Sequence, residues 1–535
     1  MKKIFLATLL AASVVPATSQ ETYENAKVIA EDLNGTARYV GMGGAMEALG
    51  ADISTIASNP AGIGLFRRST ASVSFGFVSQ GDAASMSGAK ATYGSFDQAG
   101  FVWSTNTSGK KQSFFNFAFN YHKSRNFDYI LAAASPLYNA SQNKLTFAKA
   151  TNYLLYEYKA DGVPDFDHPY LSCSQIDGIY AKAYDKELNQ WTYVDASGYD
   201  MRRAHKGYVG EYDFNLSGNI NNQVYLGLSV GIHDVHYRHH GEYTENMDPV
   251  TVEPYDLTVS EDRRITGTGY DVKFGAIFRP IDYSPFRFGL YVHTPTFYTL
   301  TTSNDIVVTL TTSNENAFLG GAAPVSSGES YKFKLHTPWK FGASIGHTIG
   351  TQLALGATYE YASYGSTDTR YITGSYYNYW NNYSYDRSES DELMNEHTEN
   401  TLKGVHTLKL GAELKPTDDL AVRVGYNYVS PMYESEGFKD VTIDSDGTFT
   451  ASATDYTNWR ATHRVTAGVG YTLGQFNLSA AYQLSTTRGD FSPFCNYVGS
   501  YDAGDAGTVP LENVTDPVKV KNTRHQLLFT LGYTF

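Results

Sequence analysis

Histidine is the side chain most often found on metal or haem, and this chain concentrates it at His233, His236, His239 and His240. Strand alternation puts His233 and His236 on opposite faces, so they cannot share an ion while a strand continues. A polar strand end is the reading there, and neither a metal nor a cofactor is expected. The only two cysteines, Cys173 and Cys495, either close one disulfide between two loops in an oxidising compartment or stay separate thiols. Gly41, Gly43 and Gly44 do not make a phosphate loop, because no Lys-Ser or Lys-Thr follows and no strand precedes. Ser, His and Asp are too numerous for spacing to single out a triad, and no nucleophile elbow is present, so no enzyme is expected. What remains suits holding and binding. Asn59-Pro60-Ala61-Gly62 is a turn whose proline lacks an amide hydrogen and fixes its own φ, which fits it to hold a segment in one shape. Tyr153-Leu154-Leu155-Tyr156 is an apolar, aromatic run in a polar stretch, as an external groove for an acyl chain needs, or else a loop helix packing on its neighbours. Tyr376, Tyr377, Tyr379, Trp380 and Tyr383 divide the same way, between stacking on glycans or lipids and an internal loop cluster.

The elements that must position these residues are strands. Of 535 residues 42% are hydrophobic and 18% charged, and 43 Tyr and 29 Phe stand against 5 Trp, beside 48 Gly. That mixture favours strands and turns. Mean hydropathy is -0.35, and after residue 19 no apolar run approaches the roughly 20 residues a membrane helix needs. A formal charge of -14 argues against a general nucleic-acid binder. From residue 69 onward apolar residues recur at every second position, the mark of strands. Val224, Leu226, Leu228, Val230 and Ile232 share one face, and Tyr225, Gly227, Ser229, Gly231 and His233 the other. The second face elsewhere carries Asp271, Lys273, Arg279, Arg287, Lys340, Glu360, Lys409, Glu413, Arg423 and Arg464. An apolar face without charge opposite a polar face with it describes a transmembrane β-barrel, apolar side outward.

Loop lengths alternate in the same sense. Tight connections such as Asn221-Asn222 and Gly474-Gln475 alternate with polar segments at about 129–206, 238–262, 297–329, 366–401, 433–459 and 490–520. Short periplasmic turns and long extracellular loops are the bacterial pattern. Fourteen strands result, from 69–81 to 521–535, and an even count returns both ends of the barrel to the periplasm. Residues 1–19, with Lys2, Lys3, an apolar core and Ala17-Thr18-Ser19, read as a secretory signal peptide; its removal takes the formal charge from -14 to -16. The expected location is the outer membrane of a Gram-negative cell.

Residues 20–68 do not alternate. Gly35 to Gly50 has a helical tendency, Ala51 to Ser58 reads as a short helix capped by Asp52, and Asn59-Pro60 ends it. A glycine-rich segment in front of a barrel reads as a plug, where close packing on the wall demands small side chains. Thr36-Ala37-Arg38 through Gly41-Met42-Gly43-Gly44-Ala45, followed by Asn59-Pro60-Ala61-Gly62-Ile63-Gly64, resembles the amino-terminal hatch of the FadL-like transporters of long-chain fatty acids and other hydrophobic compounds. The long insertion between the third and fourth strands resembles the Bacteroidetes branch of that family. The resemblance implies a fourteen-stranded antiparallel barrel (69–535) behind a helical hatch (20–68). It also implies hydrophobic cargo captured outside, held in the barrel and released sideways through the wall as the hatch moves, with Asn59, Pro60, Ala61 and Gly62 in the gating segment. The partners expected are a fatty acid-like molecule, outer-membrane lipid and, through a terminal ladder ending in Phe535, the barrel-assembly machinery, with the chain a monomer. A general porin, a surface-binding adhesin barrel and a haem-type receptor are the alternatives.

Overall fold

The computed structural model describes residues 22–81, 83, 86, 89–106, 113–151, 156–158, 164–169, 182–185, 190–247, 255–281, 283–312, 325–379, 383–440, 455–502 and 507–535. No helix among them is long and apolar enough to cross a membrane. Fourteen antiparallel strands form one closed barrel. In chain order they are β1 Thr70–Gly81, β2 Thr92–Asn106, β3 Phe114–Asn126, β4 Ala196–Ile220, β5 Val224–Met247, β6 Tyr255–Phe278 and β7 Arg287–His293, the last continued by Phe297–Thr312. Then come β8, Val325–His336 continued by Lys340–Ile349; β9 Leu353–Ser363, continued by Asp368–Asn378; β10 Gly404–Leu414; β11 Leu420–Val429; β12 Tyr456–Leu473; β13 Phe476–Ser492; and β14 Val518–Thr534. Closure is made by β1 on β14, paired from Thr70↔Thr534 to Gly81↔Thr523.

Alternation decides which face meets what. Leu226, Leu228, Val230 and Ile232 are exposed on the outer face of β5, while Tyr225, Ser229 and His233 are buried in the lumen. The same division puts Phe75, Phe101, Trp103, Phe341, Leu410, Val424 and Val469 outside and Asp271, Lys273, Lys409, Glu413, Arg423 and Arg464 inside. Asn221 and Asn222 both take positive φ between β4 and β5, the left-handed pair that a tight hairpin requires.

The strands run further than their hydrophobic pattern shows. At 25, 24 and 24 residues, β4, β5 and β6 far exceed the roughly 9–11 that cross a bilayer. Much of the expected loops 129–206, 238–262 and 297–329 is therefore strand, standing above the apolar band. Without lipid outside, the outer face there is polar, and the inner face buries an ion network beside an apolar cluster that includes Met201, Met247, Leu257 and Ile306: Arg203 lies 2.7 Å from Asp455 and 3.3 Å from Glu261, which is 3.2 Å from His239. Hence the histidine group is mid-strand, correcting the strand-end reading. His233 and His239 point inward, and His236 points outward to Asp234 at 2.8 Å.

The segment ahead of β1 fills the lumen. It comprises α1 Thr22–Ile29, α2 Ala37–Gly41 and two 3-10 turns, Ile53–Ala57 and Pro60–Leu65. Only Ala37–Gly41 of the helical stretch expected over 35–50 is helix. Thr36 caps it by accepting from Tyr39 N, and Gly43 and Gly44 end it with φ of +64° and +81°. Asp52 does cap the next element, accepting from Ser54 N, but that element is 3-10 rather than α.

Candidate functional site

Two of the contacts between hatch and wall frame the site, and the lower one, toward the short turns, is built on glycine. Lumen-facing glycines line up across neighbouring strands: Gly227↔Gly275 on β5 and β6, and Gly346↔Gly356, Gly356↔Gly411 and Gly411↔Gly425 across β8 to β11. A Cβ at Gly227 would overlap Pro60 and Ala61, one at Gly275 would overlap Asn59 Oδ1, and those at Gly356 and Gly411 would overlap the carbonyls of Ala45 and Met42. The backbone of the hatch thus lies directly on the backbone of the wall. Asn59 holds its turn by accepting from Ala61 N at 3.2 Å and donating from Nδ2 to Glu47 O at 3.1 Å. Pro60 occupies the first turn of its 3-10 element, where no amide hydrogen is missed. Charges in this seat are matched. Glu413 takes a two-pronged contact from Arg38 at 2.9 and 3.0 Å and a third from Arg423 at 2.6 Å. Glu47, fully buried, accepts from Lys409 at 2.9 Å, Tyr39 at 3.0 Å and Thr358 at 2.6 Å.

The upper contact lies behind a break in the wall. β2 and β3 pair from Asn106↔Phe114 up to Gln98↔His122, and no backbone pairing joins Thr92–Asp97 to Lys123–Asn126 above. Both strands are irregular here: β2 skips Asp97 in its register with β1, and β3 shifts against β4 between Lys123 and Arg125. Side chains bridge the seam instead, Lys123 Nζ donating to Ser95 Oγ at 2.9 Å and Tyr93 to Asn126 Oδ1 at 3.3 Å. From the lumen, Asn34 Nδ2 donates to Asp97 Oδ1 on one edge at 3.1 Å and to Lys123 O on the other at 3.2 Å. Asp32 adds two backbone bonds to β3, N to Ser124 O at 2.8 Å and Oδ2 from Asn126 N at 3.0 Å. Its carboxylate faces three guanidiniums, Arg125, Arg464 and Arg524, at 3.1, 3.4 and 3.5 Å. Burial would raise the Asp32 carboxyl; Arg125, Arg524 and Arg464 outweigh it and hold it well below the usual carboxylate range.

A cavity of about 320 Å³ opens above the hatch and against this seam. Its floor carries Asp32, Asn34 and the three arginines, and its upper wall is aromatic, with Tyr23, Phe127, Tyr129, Tyr237, Tyr433 and Trp459. Tyr23 stacks on Tyr433 at 5.2 Å, and Tyr129 meets Trp459 edge-on at 5.7 Å. Helix α1 is tied to the loop end by Thr22 to Thr398 at 2.9 Å and Tyr23 to Asn458 at 2.8 Å. The site is aromatic above and of mixed charge elsewhere, the three arginines sharing its lining with Glu31, Asp32, Glu211, Glu360 and Asp455.

Of the residues singled out in the sequence, Asn59, Pro60, Ala61 and Gly62 come together in the lower seat, all buried. They do not line the cavity. Tyr153, Leu154 and Leu155 lie outside the described residues, and Tyr156 begins the short strand Tyr156–Tyr158. Cys495 is buried in an apolar cluster with Phe491 and Phe494, and Cys173 lies outside the described residues. Tyr377 meets Tyr379 edge-on at 4.9 Å on an exposed hairpin, with Trp380 outside the described residues. Phe535 stacks on Tyr533 at the barrel rim. Asp32, Asn34 and the arginines were not singled out as a set. They lie up to 492 residues apart in the chain, and no local spacing marks them.

No protein-family model matches the sequence, and no curated protein matches it. Among solved structures, it is similar to a FadL homologue from Pseudomonas aeruginosa at 14% identity, covering 94% of this chain and 99% of that one, with a TM-score of 0.46. It is also similar to the toluene transporters TbuX of Ralstonia pickettii, at 11% identity, and TodX of P. putida, at 10%, each with the same coverages and a TM-score of 0.46.

Proposed function

We propose that the chain imports hydrophobic molecules bearing an acidic head group across the outer membrane without an energy source, long-chain fatty acids being the default cargo. The observation that carries this is the cavity whose aromatic wall suits an acyl chain and whose three arginines, gathered on Asp32, suit a carboxylate. About 320 Å³ falls at the lower end of small-molecule sites, roughly 300–1,000 Å³. Exit is sideways at the β2–β3 seam. Asp32 and Asn34 close the seam from within, so cargo whose head group takes the arginines from Asp32 loosens the segment that seals the wall. The turn at Asn59 to Gly62 keeps the rest of the hatch seated meanwhile. Uptake of labelled oleate at limiting supply, compared in cells with and without the gene, tests the reading; equal uptake rejects it. An open porin would instead give large steady conductance in planar bilayers, where this reading expects a closed record.

A further inference from the structure

A second cluster of buried charge lies in the wall of the same cavity, and the proposed transport gives it no role. Glu211 on β4 has His122 of β3 and His233 of β5 as its direct cross-strand neighbours, so that three lumen-facing side chains form one row. Asp213, two residues on and therefore on the same face, opens the next row. Gly231 stands beside it, at a position where a Cβ would overlap Asp271. Lys273 bonds Glu211 through Oε1 and Asp213 through Oδ1, the latter at 2.7 Å, and lies 3.5 Å from Asp271. The other carboxylate oxygens turn to the imidazoles: His122 Nε2 is 3.6 Å and His233 Nδ1 3.8 Å from Glu211 Oε2, and His122 Nδ1 is 3.8 Å from Asp213 Oδ2.

We infer that His122, His233, Glu211 and Asp213 form a binding site for one divalent transition-metal cation. Three facts converge on it. The ligand atoms of His122, Glu211 and Asp213 lie within 4.8 Å of one another, so side-chain rotations that close each separation by up to about 1.5 Å bring them to the roughly 3.3 Å that tetrahedral zinc bonds of about 2.0–2.2 Å impose. His122 Nδ1, His233 Nδ1 and Asp213 Oδ2 are buried without a hydrogen bond, an arrangement proteins avoid unless something else satisfies them. Finally, the carboxylates of Glu211, Asp213 and Asp271 face the single ammonium of Lys273, leaving two formal negative charges that a dication balances. Two imidazoles with two carboxylates are a donor set for zinc and its first-row neighbours rather than calcium or magnesium. Lys273 keeps Oε1 and Oδ1 and so orients the oxygens that bind. His122, Glu211 and His233 line the cavity, which gives the ion its entry.

The test uses the purified barrel in detergent, stripped with chelator and titrated with Zn2+ or Co2+ alone. Expected are one ion per chain, the visible absorption of four-coordinate Co2+, and binding weakened at least tenfold by His122→Gln or Glu211→Gln but unchanged by His236→Ala on the outer face. Absence of saturable binding overturns the site, as does binding that survives His122→Gln with Glu211→Gln. Heat-modifiable gel mobility confirms that each variant is folded. Should one fail, X-ray absorption of the zinc-loaded wild type decides: two imidazoles with oxygen donors support the site, and a shell without two imidazoles overturns it.

Discussion

The lower and upper contacts that frame the site are made of different materials. Below, backbone rests on backbone across the glycine rows, and the ion pairs are short, Arg423 to Glu413 at 2.6 Å and Lys409 to Glu47 at 2.9 Å. Above, one carboxylate serves three guanidiniums at 3.1 to 3.5 Å, next to a stretch of wall without backbone pairing. Close packing is lost steeply with displacement, whereas three guanidiniums gathered on one carboxylate can accept a second anion in its place, which offsets the cost of parting them from Asp32. In the proposed function the lower contact anchors and the upper one exchanges.

The strongest way to break this division is to make the upper contact permanent. Asn34→Cys with Asp97→Cys, in a background with Cys173→Ala and Cys495→Ala, ties hatch to seam at a pair whose side chains already touch at 3.1 Å. Oleate uptake should fall under oxidation to that of cells lacking the gene and return on reduction; full uptake through the crosslinked protein would show that cargo leaves elsewhere. Next in size is damage to the anchor. Gly411→Val or Gly275→Val pushes a side chain into Met42 or Asn59, an overpacking cost of about 1–3 kcal/mol, and should turn a closed bilayer record into steady conductance. Gly94→Val, whose Cβ would have only one neighbour, at 3.9 Å, should leave the record closed.

The barrel was legible because lipid enforces alternation, and because hairpin turns need residues such as Asn221, Asn222 and Gly474 that tolerate positive φ. Legibility stopped where lipid stops. Above the apolar band β4 to β6 bury Arg203, Glu261 and Arg263, and such inward charges look like loop composition in a sequence. The glycine rows carried a usable signal, since Gly227, Gly275, Gly356, Gly411 and Gly425 all sit at lumen-facing positions of alternating strands. Only the fold reveals that they adjoin. The seam had none: Asp32 is one acid among 55, and its partners come from β3, β12 and β14.

The exchange at the upper contact is sharpened by Asp32→Asn, which removes the resident anion while keeping the side chain's shape. A purified barrel should then bind a fluorescent fatty acid about tenfold more tightly, the equivalent of about 1.4 kcal/mol, because cargo no longer competes for the arginines. Weaker binding would mean that Asp32 builds the pocket instead. Acid removes the same anion in the wild type, after it has already neutralised a carboxylate cargo, so the readout there is the hatch itself. The Asp32 pKa is depressed in the folded state, so its contribution is complete above the unfolded value of about 3.9 and is lost as pH falls from there toward the folded value. Hydrogen exchange at Glu31 to Asn34 should accelerate across that window.

The smallest effect expected is at the turn most visible in the sequence. Asn59→Ala removes the cap on Ala61 N and the bond to Glu47 O, a loss of about 1 kcal/mol, while Pro60 and Ala61 keep their seats on Gly227. Thermal unfolding should therefore begin a few degrees lower, with bilayer conductance still closed and oleate uptake at the wild-type level. If the turn were itself the moving part, this variant would open the pore as readily as Gly275→Val does. A closed record with lowered thermal stability would make Asn59 an anchor and leave the gate to Asp32 and Asn34.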